Sequence, residues 1–523
     1  EFHAITWREL QISVDAVVGV LLKLGVQPGD RVAQLSENRF EWLLLDLACA
    51  LMQAVHVPLH ASLSAAQAIE QISHSGAKLV AVSTKEQATK LAHVMSHWPA
   101  GLTVIGYVDC GEIIGAAWRG QLTELCQQTT PGESWEVVND FARNITPQTL
   151  ATILYTSGTT GEPKGVMLTH GNLVSNATAQ VTAFGEQPDE VKFNFLPLSH
   201  IFARTCDLYG WLVRGGELVL ASSRETMMAE IALFRPTVIN GVPYFYDRLY
   251  RTLRDMNLLQ APGVLRKMLG GNIRYCNSGG AALPKHLFDF YEAQGVALLE
   301  GYGLSESSPV ISLSTVEHTK RGAVGRAIAD VEIRIAEDGE ILTRGPHVMP
   351  GYWRNPAATA EAMDNDWLRT GDLGSLDADG YLFITGRKKE LLVLLSGKNI
   401  APVYLESLLT ADPLISQAMI IGDGRAFLTA LIVPNWQAPE IAGLGAKANS
   451  PELVALIRKH IDACLAQVSY HEQVRRFTLL EHAFSLERGE LTPKLSLRRG
   501  VVAEQYAPEI AAMYAAGETS GSS

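Results

Sequence analysis

The sequence lacks features that would point to nucleic acid or to a membrane span. It has no block of five or more basic residues, and 43 Lys and Arg against 55 Asp and Glu give a formal net charge of -12. We therefore expect no nucleic-acid partner. No run approaches the roughly 18 to 20 apolar residues that cross a bilayer. A cytoplasmic protein is expected, with peripheral membrane contact left open.

Cysteine is also scarce and scattered. No two cysteines have the C-x-x-C spacing of a zinc or redox site, which fits a reducing compartment. The six are Cys49, Cys110, Cys126, Cys206, Cys276 and Cys464. The chain begins with Glu1 rather than methionine, so an upstream piece, including a targeting segment, stays an open alternative.

What is present predicts an α/β protein of several domains. The chain has 523 residues, 47% of them hydrophobic, and apolar strand-like runs alternate with amphipathic helical patterns. That alternation favours largely parallel, doubly wound sheets. Nine runs are predicted as strands: 30–36, 54–59, 77–83, 102–108, 150–157, 216–222, 236–243, 273–280 and 296–303.

The texture changes twice towards the end of the chain. From residue 320 shorter β-rich units with D-G and G-E turns follow one another, which predicts a β-rich subdomain. A smaller unit begins after "GRKKE" at 386–390, and its length suits an independent α+β domain. We predict a large domain over 1–386 and a small one over 387–523.

The stretch 155–165, "YTSGTTGEPKG", has the composition of an anion-binding loop. Its three glycines and four Ser and Thr hydroxyls would let backbone N–H groups and side chains converge on a phosphate, and Lys164 adds a charge. A flexible surface turn is the alternative. The Walker pattern is absent, because Gly165 rather than Ser or Thr follows the lysine. Asn172 is predicted to cap the helix that follows.

The longer stretch "YTSGTTGEPKGVMLTHGNL" closely resembles the phosphate-loop signature of adenylate-forming enzymes, the superfamily of acyl-CoA synthetases, firefly luciferases and peptide-synthetase adenylation domains. Six more stretches follow in the family's order, so that the resemblance covers essentially the whole chain. The first of these, at 196–204, and two further stretches, at 236–250 and 349–363, look most like long-chain fatty acyl-CoA synthetases. The six are "LPLSHIFAR", "NSGGAALP", "EGYGLSE", "WLRTGDLG", "GRKKELLVLLSGKNIAP" and "GELTPKLSLRR".

The resemblance implies a ligase that joins a fatty acid to AMP and then transfers the acyl group to coenzyme A. It would use ATP and Mg²⁺, and its small domain would be mobile between the two half-reactions. Two alternatives stay open: an acyl ligase that loads a carrier protein, and a non-catalytic binder of nucleotide or acyl groups. The oligomeric state is not indicated.

The resemblance also assigns the ATP site. Glu306, helped by the Thr156 hydroxyl, would hold Mg²⁺, a cation that prefers oxygen ligands. Each assigned residue has a purely structural alternative, such as a turn glycine, a helix-start carboxylate or a surface arginine. The phosphate residues are Thr156, Ser157, Gly158, Thr159, Thr160 and Lys164, and the nucleoside residues are Gly279, Gly280, Ala281, Tyr302, Gly303, Ser305, Asp372 and Arg387.

The acyl and thiol sites are assigned in the same way. His200 or its aromatic neighbour resembles a gate beside the carboxylate, the alternative being a core histidine. The apolar run around Val242, Pro243 and Tyr244 would wall a hydrocarbon tunnel, where each buried methylene contributes roughly 0.8 kcal/mol. Lys389 would be the hinge, and Gly397 would let the pantetheine arm of coenzyme A pass close to the backbone.

One motif departs from the family pattern. Long-chain synthetases carry the lysine that touches the carboxylate and phosphate during adenylation in stretches resembling "LTPTLKLKR", whereas this chain has "LTPKLSLRR". An ungapped match puts Ser496 at that position and Lys494 two residues earlier. In a strand, two residues keep the same facing side, although the reach differs by about 6 to 7 Å. We predict that Lys494 serves as the catalytic lysine.

Overall fold

A computed structural model of the chain describes residues 2–130, 132, 135–157, 163–187, 189–444, 448, 450–485, 487–492 and 497–515. The strands are β1 Arg31–Leu35, β2 Val55–Leu59, β3 Leu79–Val82, β4 Thr103–Gly106, β5 Trp118–Gln121, β6 Leu150–Ser157, β7 Pro163–Thr169, β8 Val191–Asn194, β9 Glu217–Leu220, β10 Val238–Gly241, β11 Tyr275–Ser278, β12 Ala297–Gly303, β13 Val310–Leu313, β14 Arg326–Ala327, β15 Glu332–Ile335, β16 Glu340–Arg344, β17 Gly351–Tyr352, β18 Met363–Asp364, β19 Trp367–Leu376, β20 Leu382–Arg387, β21 Leu392–Val393, β22 Asn399–Ile400, β23 Ile415–Ile421, β24 Leu428–Pro434 and β25 Val474–Leu479.

Helices separate most of the strands. They are α1 Trp7–Lys23, α2 Phe40–Leu51, α3 Ala65–Ser75, α4 Lys85–Ala92, α5 Gly111–Ile114, α6 Leu122–Gln127, α7 Trp135–Arg143, α8 His170–Ala183, α9 Ile201–Ala203, α10 Gly210–Arg214, α11 Met227–Phe234, α12 Pro243–Asp255, α13 Val264–Met268, α14 Lys285–Ala293, α15 Pro356–Ala362, α16 Pro402–Leu409, α17 Pro439–Ala442, α18 Pro451–Cys464, α19 Arg499–Gln505 and α20 Ala507–Ala515. A π-helix spans Arg204–Tyr209, and short 3₁₀ turns include Ser305–Ser307 and Lys388–Glu390. No helix within the described ranges has the length and apolar character of a membrane span.

Two large sheets form the body of the molecule. Over the described residues the first has the order β17-β7-β6-β2-β1-β3-β4-β5, parallel from β6 to β5, with β7 and β17 antiparallel. The second has the order β14-β13-β12-β11-β10-β8-β9 and is parallel from β12 to β9. These sheets confirm the predicted α/β class, and each predicted run contains a strand.

Smaller sheets follow in the chain, as the β-rich texture after residue 320 predicted. Strands β15, β16, β18, β19 and β20 make an antiparallel sheet. Beyond it, β23, β24 and β25 form a separate sheet whose faces carry their own buried clusters with α16, α18 and α20. A large α/β part and a smaller C-terminal part are therefore present, while the boundary after Gly386 stays a prediction.

The first sheet is covered on both faces, which explains its nearly continuous apolar strands. In β3, Leu79 and Ala81 pack in the cluster that holds α1 and α2, whereas Val80 and Val82 pack in the opposite cluster with α3 and α4. Alternate residues of such a strand thus pack into two different cores, and no position along it needs to be polar.

The helix after the phosphate loop begins differently from the prediction. Thr169 is its N-cap, and its hydroxyl accepts a hydrogen bond from the Asn172 N–H at 3.2 Å. Asn172 closes a capping box instead, since its Oδ1 accepts from the Thr169 N–H at 2.9 Å. The asparagine lies three residues inside the helix, so the predicted cap was wrong by that distance.

A charged group is buried where α2 and the first sheet meet the π-helix. His56 Nδ1 lies 3.0 Å from Asp46 Oδ1, and the Tyr209 hydroxyl donates to Asp46 Oδ2 at 2.9 Å. Arg204 pairs with the same carboxylate and donates to Thr152 Oγ1 at 2.8 Å. Burial acts to raise the pKa of Asp46, but Arg204 and His56 outweigh it and lower that pKa. The ion pair therefore ties the π-helix to the first sheet.

Asp46→Ala is expected to lower the free energy of unfolding by about 3 to 5 kcal/mol, because the Arg204 charge would stay buried without its partner. Asp289→Ala is the matched control, since the Asp289–Arg321 pair is about half exposed on both sides and should contribute less than about 1 kcal/mol. Urea unfolding followed by tryptophan fluorescence measures both. Small and equal losses would contradict a structural role for the buried pair.

Candidate active site

A cavity of about 470 Å³ lies at the carboxyl ends of the parallel strands of the second sheet. Ligands of open α/β sheets bind at this end. Strands β10, β11 and β12 contribute their last residues, and β6, α8 and the segment 199–206 supply other walls. The lining residues are Leu154, Tyr155, Thr156, Gln180, Phe184, Ser199, His200, Ile201, Phe202, Cys206, Asn240, Asn277, Ser278, Gly279, Gly280, Glu300, Gly301, Tyr302, Gly303, Leu304, Ser305, Glu306, Pro309, Val310, Leu313 and Arg387.

The stem of the predicted phosphate loop reaches this cavity. β6 and β7 form an antiparallel pair in which Thr156 is opposite Lys164, and Thr156 lines the cavity. Lys164 Nζ lies 5.0 Å from the centre of the Tyr352 ring. The loop residues Gly158, Thr159 and Thr160, and the side chain of Ser157, lie outside the described part of the chain.

Glu306 and Thr156 line the same cavity. The Tyr352 hydroxyl donates a hydrogen bond to Glu306 Oε1 at 2.7 Å and so fixes the orientation of the Glu306 carboxylate. Burial raises the pKa of Tyr352, and the neighbouring Glu306 raises it further, so Tyr352 stays a donor. In the described ranges no group of three or more His, Cys, Asp or Glu is arranged around a metal position. One carboxylate with one hydroxyl still fits Mg²⁺, which takes few protein ligands and completes its shell with phosphate oxygens and water.

The three predicted nucleoside residues from distant parts of the chain meet at one point. The Tyr302 hydroxyl donates to Asp372 Oδ2 at 2.7 Å, and Arg387 Nε lies 2.9 Å from Asp372 Oδ1. Strands β19 and β20 set this contact, since Asp372 pairs with Arg387 in register. Burial raises the pKa of Asp372, and Arg387 and Tyr302 partly oppose it. Tyr302 and Arg387 also line the cavity, which places the Asp372 carboxylate beside it.

The glycines after β11 shape the cavity wall. A Cβ atom at Gly279 would lie 3.1 Å from the Phe202 ring, so glycine leaves the space that this ring occupies. Gly280 has φ of +77°, a conformation that favours glycine. Both line the cavity, and Ala281, next in the chain, does not.

The end of β12 contributes two more predicted residues. A Cβ at Gly303 would lie 1.7 Å from the Pro309 carbonyl oxygen, so no side chain fits there. Ser305 begins the 3₁₀ turn that carries Glu306. Both positions line the cavity.

Glu300 is a cavity residue that the sequence analysis missed. Burial raises its pKa to about 8, against a hydrogen bond from the Leu283 backbone that lowers it. It lies in β12 beside Ser278 of β11. A carboxylate inside the apolar run 296–303 is the signal that would have identified it.

His200 lines the cavity and is exposed, so it is not a core histidine. It is the N-cap of α9, and its Nδ1 accepts from the Phe202 N–H at 3.2 Å. The aromatic neighbour Phe202 packs towards Gly279 on the other side. Histidine and phenylalanine of the predicted gate are therefore both at the cavity.

The residues predicted for the acyl wall lie at the start of α12. Val242 packs at the edge of the α1 and α2 core, Pro243 is the buried first residue of α12, and Tyr244 is 39% exposed. None of the three is among the residues that line the cavity. The cavity is lined instead by residues of α8, the π-helix, β10, β11 and β13, which the sequence analysis did not select.

The predicted hinge and thiol residues lie away from this cavity. Lys389 is in the 3₁₀ turn after β20, and Gly397, with φ of +75°, is in the turn between β21 and β22. Neither lines the cavity. Lys494 and Ser496 lie outside the described residues.

The chain matches known protein families over most of its length. The model of the AMP-binding enzymes matches residues 1–353, and that of the AMP-binding enzyme C-terminal domain matches residues 389–518. The long-chain-fatty-acid–CoA ligase FadD15 of Mycobacterium bovis is 36% identical, over 98% of this chain and 92% of its own. The peroxisomal long chain acyl-CoA synthetase 7 of Arabidopsis thaliana is 30% identical, over 98% of this chain and 82% of its own.

Solved structures agree with these matches. ATP-bound MatB from Rhodopseudomonas palustris is similar with a TM-score of 0.76 and 28% identity, over 96% of this chain and 93% of its own. A fatty acyl CoA synthetase of Mycobacterium tuberculosis shares the fold with a TM-score of 0.70 and 24% identity, over 97% of this chain and 93% of its own. The predicted resemblance is confirmed, and the chain belongs to the family of AMP-binding enzymes.

Proposed function

We propose that this protein is an AMP-forming ligase that activates a long-chain fatty acid with ATP and transfers the acyl group to coenzyme A. The observation that carries the proposal is the convergence of Thr156, Glu306, Tyr302 and Arg387 on one cavity. Long-chain-fatty-acid–CoA ligases that match almost the whole chain supply the reaction class. Two anions must meet in such a reaction, so positioning and charge neutralisation are the main demands on the protein.

In the first half-reaction the fatty carboxylate attacks the α-phosphate of ATP and pyrophosphate leaves. Asp372 would accept hydrogen bonds from the ribose hydroxyls. Arg387, which forms an ion pair with Asp372 in this structure, would bind the ribose or the phosphate. Tyr302 would stack against the purine on the side opposite the glycines. Glu306 and Thr156 would hold Mg²⁺, which supplies positive charge to the phosphates.

In the second half-reaction the thiol of coenzyme A attacks the acyl carbonyl and AMP leaves. His200 and its neighbour would gate the entry to the carboxylate. Rotation of the small domain about Lys389 would present Gly397 to the pantetheine arm. The acyl chain would lie between α8 and the second sheet, where the cavity continues beyond the nucleotide residues.

A panel of fatty acids of increasing length, assayed for pyrophosphate, AMP and acyl-CoA with and without coenzyme A, tests the proposal. We expect fatty-acid-dependent pyrophosphate release and acyl-CoA with coenzyme A as the sole acceptor. Thioester formation only on an added carrier protein would contradict coenzyme A as the acyl acceptor. Pyrophosphate release that stays at background would contradict the proposed ligase activity.

Lys389→Pro is expected to spare adenylate formation and to depress thioester formation by roughly tenfold or more, since proline fixes φ at the hinge. Lys389→Ala is the matched control, because it removes the same side chain and leaves the backbone free. The two half-reactions are measured separately, by pyrophosphate release and by thiolation of supplied acyl-adenylate. Equal losses in both half-reactions for the proline variant would argue against a hinge.

A further inference from the structure

A chain of buried amides ends at the acyl side of the cavity. Asn240 and Asn277 stand side by side at the ends of β10 and β11, and Asn277 Nδ2 donates to Asn240 Oδ1 at 2.7 Å. Asn240 Nδ2 in turn donates to Asp207 Oδ1 at 2.6 Å, and Asn194 donates to Asp207 Oδ2 at 2.7 Å. Because Asp207 is fully buried and accepts at both oxygens, it fixes the orientation of the Asn240 amide, and Asn240 Oδ1 in turn fixes that of Asn277.

This orientation leaves an acceptor at the cavity. Asn277 lines the cavity, and no described residue donates a hydrogen bond to its Oδ1. Gln180 of α8 lines the same cavity and uses its Nε2 to donate to the Thr205 carbonyl at 3.0 Å. Its Oε1 likewise receives no hydrogen bond from the described part of the chain. Two amide oxygens of fixed orientation are therefore unused by the protein.

The two amides face each other across the cavity. Phe184, the C-cap residue of α8, stacks on Tyr275 of β11, with ring centres 4.5 Å apart and planes 3° from parallel. Gln180 is one helical turn before Phe184 and therefore on the same face of α8. Asn277 is two residues after Tyr275 and therefore on the same face of β11. The stacked rings thus form one row, and the two amides form the next row towards the nucleotide residues.

No carboxylate shares this row. Asp207 is not among the lining residues, and both its oxygens are taken. Glu300 pairs laterally with Ser278, so it is on the opposite face of the sheet from Asn277. An ammonium group would therefore find no counter-charge here, and a keto group would offer no donor. A neutral hydroxyl can donate to either amide oxygen and accept from the second N–H of Asn277.

We propose that Asn277 and Gln180 form a recognition point for a hydroxyl group on the acyl chain, so that the preferred substrate is a hydroxylated fatty acid. The inference rests on the proposed ligase function. An unsubstituted chain in this channel would cover both amides and leave their oxygens without donors, which burial penalises. A site that hydrogen-bonds a substrate hydroxyl discriminates strongly against the analogue that lacks it.

The test uses the full-length protein and a competition between hexadecanoic acid and its positional hydroxy isomers, with acyl-CoA products quantified by mass spectrometry. One hydroxy isomer is expected to exceed hexadecanoic acid in kcat/KM by at least about tenfold. Asn277→Leu, which keeps the branched side chain of four heavy atoms and removes the amide, should abolish that preference. The KM for ATP should stay unchanged, whereas general damage to the site would raise it.

Gln180→Met provides the second variant and should weaken the preference for the hydroxy isomer over hexadecanoic acid, measured as the ratio of the two kcat/KM values. A wild-type protein that prefers hexadecanoic acid to every isomer would overturn the inference, as would a preference that both variants retain. If no acid yields acyl-CoA, the proposed function fails by itself. Calorimetric binding of the same acids then decides the inference: equal affinity for hexadecanoic acid and all isomers would overturn it, and tighter binding of one isomer that Asn277→Leu removes would support it.

Discussion

Lys494→Ala is expected to slow pyrophosphate release by about 10²- to 10³-fold, the usual cost of removing a positioned donor from a developing anion. The family resemblance assigns a lysine of this segment to the carboxylate and phosphate during adenylation. Lys494 is the lysine that "LTPKLSLRR" offers, because Ser496 occupies the family's position. Thiolation of supplied acyl-adenylate should survive, since that step would use another face of the small domain.

Ser496→Lys, which restores a lysine at the family's position, tests the assignment of Lys494. If no lysine serves in adenylation, Lys494→Ala would be nearly silent and Ser496→Lys would accelerate a slow enzyme. That pair of results would contradict the assignment. Lys459→Ala is the control, because it removes an exposed lysine from a helix of the same small part of the chain and should change neither half-reaction. Pyrophosphate release measured under identical ATP and fatty acid concentrations compares all three.

The parallel strands were predictable because both of their faces are buried. In β3 neighbouring residues belong to two different cores, so the strand reads as an unbroken apolar run. The predicted runs 236–243 and 273–280 contain β10 and β11, whose carboxyl ends lie where ligands of such sheets bind. Local sequence was sufficient to predict these strands, because the apolar packing that stabilises them does not require one particular partner residue.

β8 was not predictable in this way. Its run "VKFN" contains Lys192, which is buried, lies 3.3 Å from Glu190 and donates to the Cys206 carbonyl at 2.9 Å. A charged residue normally marks an exposed position, and here distant partners compensate for its burial. The strand could be recognised only once those partners were known.

The predicted acyl residues do not line the cavity for a related reason. The apolar run around Val242, Pro243 and Tyr244 suggested a tunnel lining, but α12 directs the next residues, Phe245 and Tyr246, into the core beside the second sheet. The cavity is lined instead by residues such as Gln180, Asn240 and Asn277, which are far apart in sequence. Which strand face meets the cavity depends on helix packing. The asparagines within apolar strands were nevertheless visible as the exceptions in their runs.

Glu306→Ala is expected to lower pyrophosphate release by roughly 10²-fold or more, because the site loses a charge that would hold Mg²⁺ against the phosphates. The fold should stay intact, since Glu306 lies at the cavity surface and no core volume is removed. Glu306→Gln keeps the shape and the hydrogen bond from Tyr352 but removes the charge. It should therefore be almost as slow as the alanine variant.

Tyr352→Phe tests whether the position of the Glu306 carboxylate matters as well as its charge. The Tyr352 hydroxyl donates to Glu306 Oε1 at 2.7 Å, so its loss frees the carboxylate to rotate without removing the ligand. We expect a loss below about tenfold, recovered in part at higher Mg²⁺, whereas the Glu306 variants should not recover. Glu317→Ala, at an exposed carboxylate, is the control for general effects of charge. Full turnover of Glu306→Ala at saturating Mg²⁺ would rule out Glu306 as a ligand, and equal losses in Tyr352→Phe and Glu306→Gln would mean that geometry rather than charge limits the reaction.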